Sequence, residues 1–134
     1  MPPETIVENE FATLLYYPGS KIIHHQFHKP TFGKTFRTVL MQGLKILKQH
    51  HARKWLSDDR KNSALGSENT DWSQTVWGPQ ARAAGWNCWA IVLPRELVGQ
   101  MNMRQFIEIN LEKGVSDCVF PEPTQALTWL EQQS

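Results

Sequence analysis

From residue 21 to the end of this 134-residue chain, short apolar runs alternate with stretches of helical period, and that alternation limits the fold more than any motif does. Lys21–Lys29, Arg53–Leu56, Trp86–Leu93 and Val115–Phe120 read as strands. Between the first two lies Lys34–His50, where Phe36, Leu40, Leu44 and Leu47 recur at spacings of four, four and three, the stripe of an amphipathic helix. Asn69–Gly85 reads as a second helix with Asn69 or Thr70 as N-cap and Gly85 as its stop, and Pro79 inside it predicts a kink or two shorter pieces. Asn102–Lys113 and Pro123–Gln132 complete the helices. An earlier run, Phe11–Tyr17, meets Lys21–Lys29 through the turn Pro18-Gly19-Ser20, which predicts a hairpin. The expected order is ββαβαβαβα, an α/β fold in a single layered domain. Its sheet is mostly parallel, with right-handed crossovers and an antiparallel edge strand. Residues 1–10 are expected to form a flexible N-terminal segment and residues 11–134 the domain.

A chain of this length fits one domain of roughly 100–150 residues. Its 40% hydrophobic and 20% charged composition is that of a globular protein with one core. No apolar run approaches the roughly 20 residues needed to cross a bilayer. The start, Met1-Pro2-Pro3-Glu4, lacks the basic and apolar regions of a signal peptide, so a cytoplasmic location is expected. Cys88 and Cys118 stand apart in separate predicted strands and read as buried thiols, since two isolated cysteines make neither a disulfide framework nor a zinc site.

Charge is unevenly spread. Between Phe11 and Ser57 there are eight Lys or Arg and no Asp or Glu, whereas from Asn62 onward four basic residues face eight acidic ones. Such asymmetry marks an anion-binding face in some proteins. Here the cations fall at helix-surface positions, where a solvated face is the ordinary expectation, and no nucleic-acid partner is expected.

The densest chemistry is Trp55-Leu56-Ser57-Asp58-Asp59-Arg60-Lys61-Asn62-Ser63, a strand running into carboxylates, cations, an amide and hydroxyls. Ligands in α/β proteins are met at such loops after the strand's carboxyl end. Three readings stay open. Asp58 and Asp59 could hold a divalent cation with a hydroxyl. Ser57 or Ser63 could accept a phosphoryl group. The group could also be a structural knot, with Asp and Asn capping turns and Arg60 pairing with a carboxylate. No Gly-rich phosphate loop, Gly-x-Ser-x-Gly elbow or spaced acid–base pair appears, so no catalytic residue, metal or cofactor is assigned.

His24-His25-x-x-His28 reads as a strand, which puts His24 and His28 roughly 13 Å apart, too far to share an ion. His25 then points to the opposite face with Ile23 and Phe27. His50 and His51 close the first helix, where a cation favours the dipole. Five of the six tryptophans, Trp55, Trp72, Trp77, Trp86 and Trp89, fall within 35 residues. Trp72 and Trp77 lie five apart, a spacing at which an α-helix cannot turn both to the core, so at least one is expected in a pocket or an interface.

These segments together resemble the STAS-like (anti-anti-sigma-factor) domains, which share a fold with the CRAL-TRIO lipid-transfer domains. The look is closest to an uncharacterised bacterial group of STAS-like proteins. The residues that carry the resemblance are His24–His28, Lys54–Arg60 with Asn62-Ser63-Ala64, Ala84-Gly85-Trp86 leading into Trp89–Pro94, Gly99–Met103 and Ala126–Leu130. The resemblance implies a regulatory serine after an aspartate just beyond the third strand. In this chain Ser63 follows Asp59 by four residues instead of standing next to it, a departure from the family's switch. The lipid-transfer domains imply an apolar cavity, although they are considerably longer chains.

The leading expectation is a non-enzymatic binding or regulatory module that contacts a partner protein through the loop after the third strand. Its surface would comprise Ser57 to Ser63, Trp72, Trp77 and the Pro94-Arg95-Glu96 loop. The alternative is a carrier for a small anionic or lipid-like ligand, held by Arg60, Lys61 and Arg95 over an apolar pocket lined by Trp72 and Trp77. A hydrolase would need a histidine beside Ser57 or Ser63, and the strand and helix-end positions of the histidines argue against one. An exposed tryptophan or the edge hairpin offers a face for a homodimer.

Overall fold

Strands in this protein pair in the order in which the chain makes them, and that puts successive helices on one face of the sheet. The computed structural model describes residues 2–62 and 67–134. Its six strands are β1 (Glu4–Glu8), β2 (Ala12–Tyr17), β3 (Ile22–Phe27), β4 (Lys54–Asp58), β5 (Cys88–Val92) and β6 (Ser116–Val119), arranged β1-β2-β3-β4-β5-β6. The first three pair antiparallel, and β3 to β6 run parallel. Four helical units join and follow them: α1 (Gly33–His50), a composite unit, α4 (Leu97–Glu112) and α5 (Pro123–Glu131). The composite unit is α2 (Ser67–Trp72), a π-helical turn (Ser73–Trp77) and α3 (Gly78–Ala83).

Because each crossover moves to the next strand in the same direction, right-handed connection places α1, the composite unit and α4 on the same side. The core shows this. Phe36, Leu40, Leu44, Trp77, Ala81, Met103 and Phe106 pack with Ile23, Trp55, Trp89 and Ile91 of the sheet. Alternate strand residues, Ile22, Leu56, Cys88, Ala90 and Val92, meet Ala126 and Leu130 of α5 on the other side. The period of two in β3, β4 and β5 therefore decides which polar residues face which layer.

Three differences from the sequence expectation have physical causes. The chain carries one strand more than ββαβαβαβα: Glu4–Glu8, placed by sequence in a flexible segment, pairs with β2 through a bulge between Thr5 and Val7. Only Ile6 and Val7 pack on the core there, and charged ends are how edge strands are made safe from further pairing. Helix α4 begins at Leu97, five residues before the predicted Asn102, because Gly99 sits buried inside its first turns while Leu97, Val98 and Met101 are exposed. That apolar exposure hides the usual stripe. Third, the expected break at Pro79 takes the form of a π-turn just before it. The Gly78 N–H bonds the Ser73 carbonyl, an i→i+5 bond that widens the helix where the proline ring would otherwise crowd a carbonyl. The same turn brings residues five apart onto one side, so Trp77 is buried in the core and Trp72 still packs against it.

Helix α1 lies close on the sheet because Gly43 has no side chain. A β-carbon there would strike the indole of Trp55. Substitution of Gly43 by Ala should therefore cost about 1–3 kcal/mol by overpacking, read as a lower urea midpoint, even though alanine is the better helix former. An unchanged or raised midpoint would show that Trp55 is not held against α1.

Candidate functional site

Beyond the end of β4 the chain buries a carboxylate, and the surrounding strands supply its partners. Asp59 is 4% exposed, and its Oδ1 lies 2.9 Å from Nε2 of His25 on β3. The Trp55 indole N–H donates to His25 Nδ1 at 2.9 Å. An indole nitrogen only donates, so Nδ1 carries no proton, and the imidazole proton sits on Nε2 and points to Asp59. The backbone completes the arrangement. Asp59 N–H donates to the Val92 carbonyl, Asn62 N–H to the Asp59 carbonyl, and Thr31 N–H to Asn62 Oδ1. One buried cluster thus ties the β3–α1, β4 and β5 chain ends together.

Ser57 is the strand partner of His25, so the serine and histidine stand side by side on the same face. Sequence reasoning had placed no histidine beside Ser57, since parallel register between residues 32 apart leaves no local trace. The pair does not form a nucleophile and base. Both His25 nitrogens are taken, and Ser57 Oγ accepts the Trp89 indole N–H at 2.8 Å. Ser57 is 3% exposed, which also removes it from reach of a modifying enzyme in the folded state.

Above this polar floor lies a small, partly open cavity of about 40 Å³ between the sheet, α1, the π-turn and α4. Its aromatic side is a run of edge-to-face contacts, Trp55 to Trp77 to Trp86 to Trp89 to Phe106, with ring centroids 5.0–5.4 Å apart. Trp72 is not part of the lining among the described residues; it packs edge-on against Phe36 beneath the Arg37 guanidinium.

Asp58 points the opposite way. Its carboxylate takes a two-pronged contact from Arg60, whose Nε and Nη2 each lie 2.9 Å from an oxygen, and Arg60 Nη1 reaches Glu122 at 3.3 Å. The hydrogen bond to Asp58, more than any other influence, raises the Arg60 pKa. Asp58 and Asp59 therefore cannot share a cation: consecutive residues face opposite layers, and each carboxylate already has its partner. Arg60 paired with a carboxylate is the contact that the structural-knot reading, one of the three, describes.

At the carboxyl end of the parallel strands an open groove of about 340 Å³ collects His28 and Lys29 from one loop, Arg60, Lys61 and Asn62 from the next, and Arg95 and Glu96 from the third. The Arg95 N–H donates to the Arg60 carbonyl at 3.3 Å, which holds two of these loops together. Lys61 and Arg95 are exposed, and neither makes an ion pair with a described residue. The structure so brings Arg60, Lys61 and Arg95 to one groove, while it buries Ser57, Asp58, Asp59, Asn62 and Trp77. Ser63 lies outside the described residues. The basic residues between 11 and 57 do not make one patch: Lys54 is buried against the Gln133 carbonyl, Lys29 pairs with Glu10 and Arg37 with Glu68.

On the α5 side, His24 stacks on Tyr17, whose hydroxyl lies 3.1 Å from Nδ1, and its Nε2 is buried without a partner. Burial above all, with the Arg60 charge adding to it, lowers its pKa from 6.5 to about 4 against the opposing pull of Asp58. The unfolded chain takes up this proton from about pH 6.5 downward, the folded chain only near 4. Stability from this group is thus complete above pH 6.5 and is lost as pH falls through that window, by up to about 3 kcal/mol. Urea unfolding at pH 7 and pH 4.5 should show a drop that His24→Asn largely removes; an equal drop in both proteins would refute the assignment.

Among the described residues no helix is long and apolar enough to cross a membrane. No protein-family model, curated protein or solved structure matches this chain.

Proposed function

We propose that this protein is a STAS-like binding module, not a catalyst, that receives a small anionic ligand in the groove at the carboxyl end of its parallel strands. The observation that carries this reading is the convergence of Lys61 and Arg95 with the anchored Arg60 on one open groove. Lys29, Arg60, Lys61 and Arg95 line it against Glu96, and Lys29 is already paired with Glu10. Open α/β sheets meet their ligands at this end, and about 340 Å³ falls at the lower edge of the roughly 300–1,000 Å³ of small-molecule sites. Arg60 is already matched by Asp58 and Glu122, so its role is to set the groove's shape. Lys61 and Arg95 are the groups left to meet the ligand. The unreversed strand order, with helices collected on one face and α5 on the other, supports the STAS-like resemblance.

A lipid-like ligand fits less well, because a cavity of about 40 Å³ has no room for an acyl chain. The reading of a protein partner keeps one observation in its favour: Leu97, Val98 and Met101 are 71%, 59% and 59% exposed directly after the Arg95 loop. An acidic, apolar segment of another protein would complement that surface.

Isothermal titration with inorganic phosphate tests the first reading. Wild-type protein should bind it with an affinity that falls as salt rises, and Lys61→Glu with Arg95→Glu should weaken binding by about 10-fold or more without changing the melting temperature. Equal affinity in the reversed variant would refute the groove as the site.

A further inference from the structure

A second groove adjoins the one that gathers Lys61 and Arg95, and its walls follow from two proline turns after the last parallel strands. β5 leads into Leu93-Pro94-Arg95, and β6 into Phe120-Pro121-Glu122. Between these turns lies an open space of about 400 Å³. Leu93 and Pro94 line it from the first turn, Val119, Phe120 and Pro121 from the second. Arg60 and Arg95 line both grooves, so the two spaces meet at these side chains.

The spaces differ in what they offer a ligand. Proline has no backbone N–H, so Pro94 and Pro121 present ring carbons where another residue would present a donor. Neighbouring amides are already used: Phe120 N–H donates to the Ile91 carbonyl, Arg95 N–H to the Arg60 carbonyl and Gln100 N–H to the Glu96 carbonyl. Glu122 adds a carboxylate to the lining. A second anion would therefore meet apolar carbon and a like charge here, whereas an apolar ring would meet carbon from both turns. Gln100 is the one uncharged polar side chain among the described residues of this lining, and its carboxamide can both donate to and accept from a substituent on such a ring.

We infer that the ligand is a phosphate monoester carrying a ring, an assignment that rests on the first groove being the anion site. Its phosphate lies between Lys61 and Arg95, and its ring lies in the proline-walled groove beside Phe120. Charge favours a phosphate over a carboxylate. A phosphate monoester carries close to two negative charges at pH 7, which match the two cations that have no ion pair with a described residue. Size agrees, since the two spaces joined stay within the roughly 300–1,000 Å³ of small-molecule sites. Arg60 stands at the boundary, held by Asp58 on one side and Glu122 on the other, so the passage between the spaces is preformed.

Isothermal titration with inorganic phosphate, methyl phosphate and phenyl phosphate distinguishes the anion seat from the ring seat. Phenyl phosphate should bind about 10-fold tighter than methyl phosphate, the gain expected from covering about half of the ring's surface. Val119→Gln and Phe120→Leu, made separately, should each reduce that preference about 2- to 3-fold and leave the affinity for methyl phosphate unchanged. Val119 is exposed on the edge strand, so its replacement leaves the fold intact even if Phe120, which packs on Trp129, is needed for stability. Lys61→Glu with Arg95→Glu should weaken both monoesters alike. Equal affinity for phenyl and methyl phosphate, with inorganic phosphate still bound, overturns the ring seat and leaves the anion groove standing. Failure of all three probes to bind overturns both. A phenyl preference that survives undiminished in Val119→Gln and Phe120→Leu also overturns the ring seat, because the ring then lies elsewhere.

Discussion

A carboxylate buried one residue past a strand needs a donor, and the His25–Asp59 contact is the one on which the rest of this end of the molecule depends. The demand propagates. To donate from Nε2, His25 needs an acceptor role at Nδ1, which Trp55 satisfies. To reach Nδ1, the Trp55 ring comes up against α1, which is possible because position 43 is glycine. With Asp59 fixed, its carbonyl takes the Asn62 N–H, Asn62 takes the Thr31 N–H, and the loops that carry Lys29, Lys61 and Arg95 are set at fixed separations. Breaking a buried pair of this kind leaves one polar group stranded, so the contact is worth more to local order than its modest net energy suggests.

The same contact separates two chemistries. Below it, toward the helices, is a small aromatic pocket. Beyond it, at the strand ends, is an open cationic groove. Asp58 and Asp59, adjacent in sequence, divide between layers: one holds Arg60 on the α5 side and the other holds His25 on the helix side. What looks like a single acidic cluster in one dimension is two separate structural ties in three.

Much of the architecture was legible because it rests on local periods. The two-residue alternation in Ile22–Phe27 and the apolar run through Cys88–Val92 announce strands, and the Phe36–Leu47 stripe announces α1. β1 was not legible, since two apolar residues between glutamates carry no period. The early start of α4 was hidden by exposed Leu97 and Val98 beside Gly99. The site was legible only as a neighbourhood. Arg60, Lys61 and Arg95 were placed together by topology, from the rule that loops after parallel strands share an end. His25, the residue that organises the site, was set aside because its importance arises from register with β4 and from a carboxylate 34 residues away. Its signal was present in one respect: it alternates with Ile23 and Phe27, which forecast burial, and a buried histidine must have partners.

A double-mutant cycle on His25 and Asp59 tests this account most directly. Urea unfolding of wild type, His25→Phe, Asp59→Ala and the double variant yields their coupling. The bridge predicts that each single change costs about 3 kcal/mol or more, and that the double change costs less than their sum by about 1–3 kcal/mol. Costs that add to within about 0.5 kcal/mol would mean that the two residues do not depend on each other, and would contradict the bridge as the organising contact.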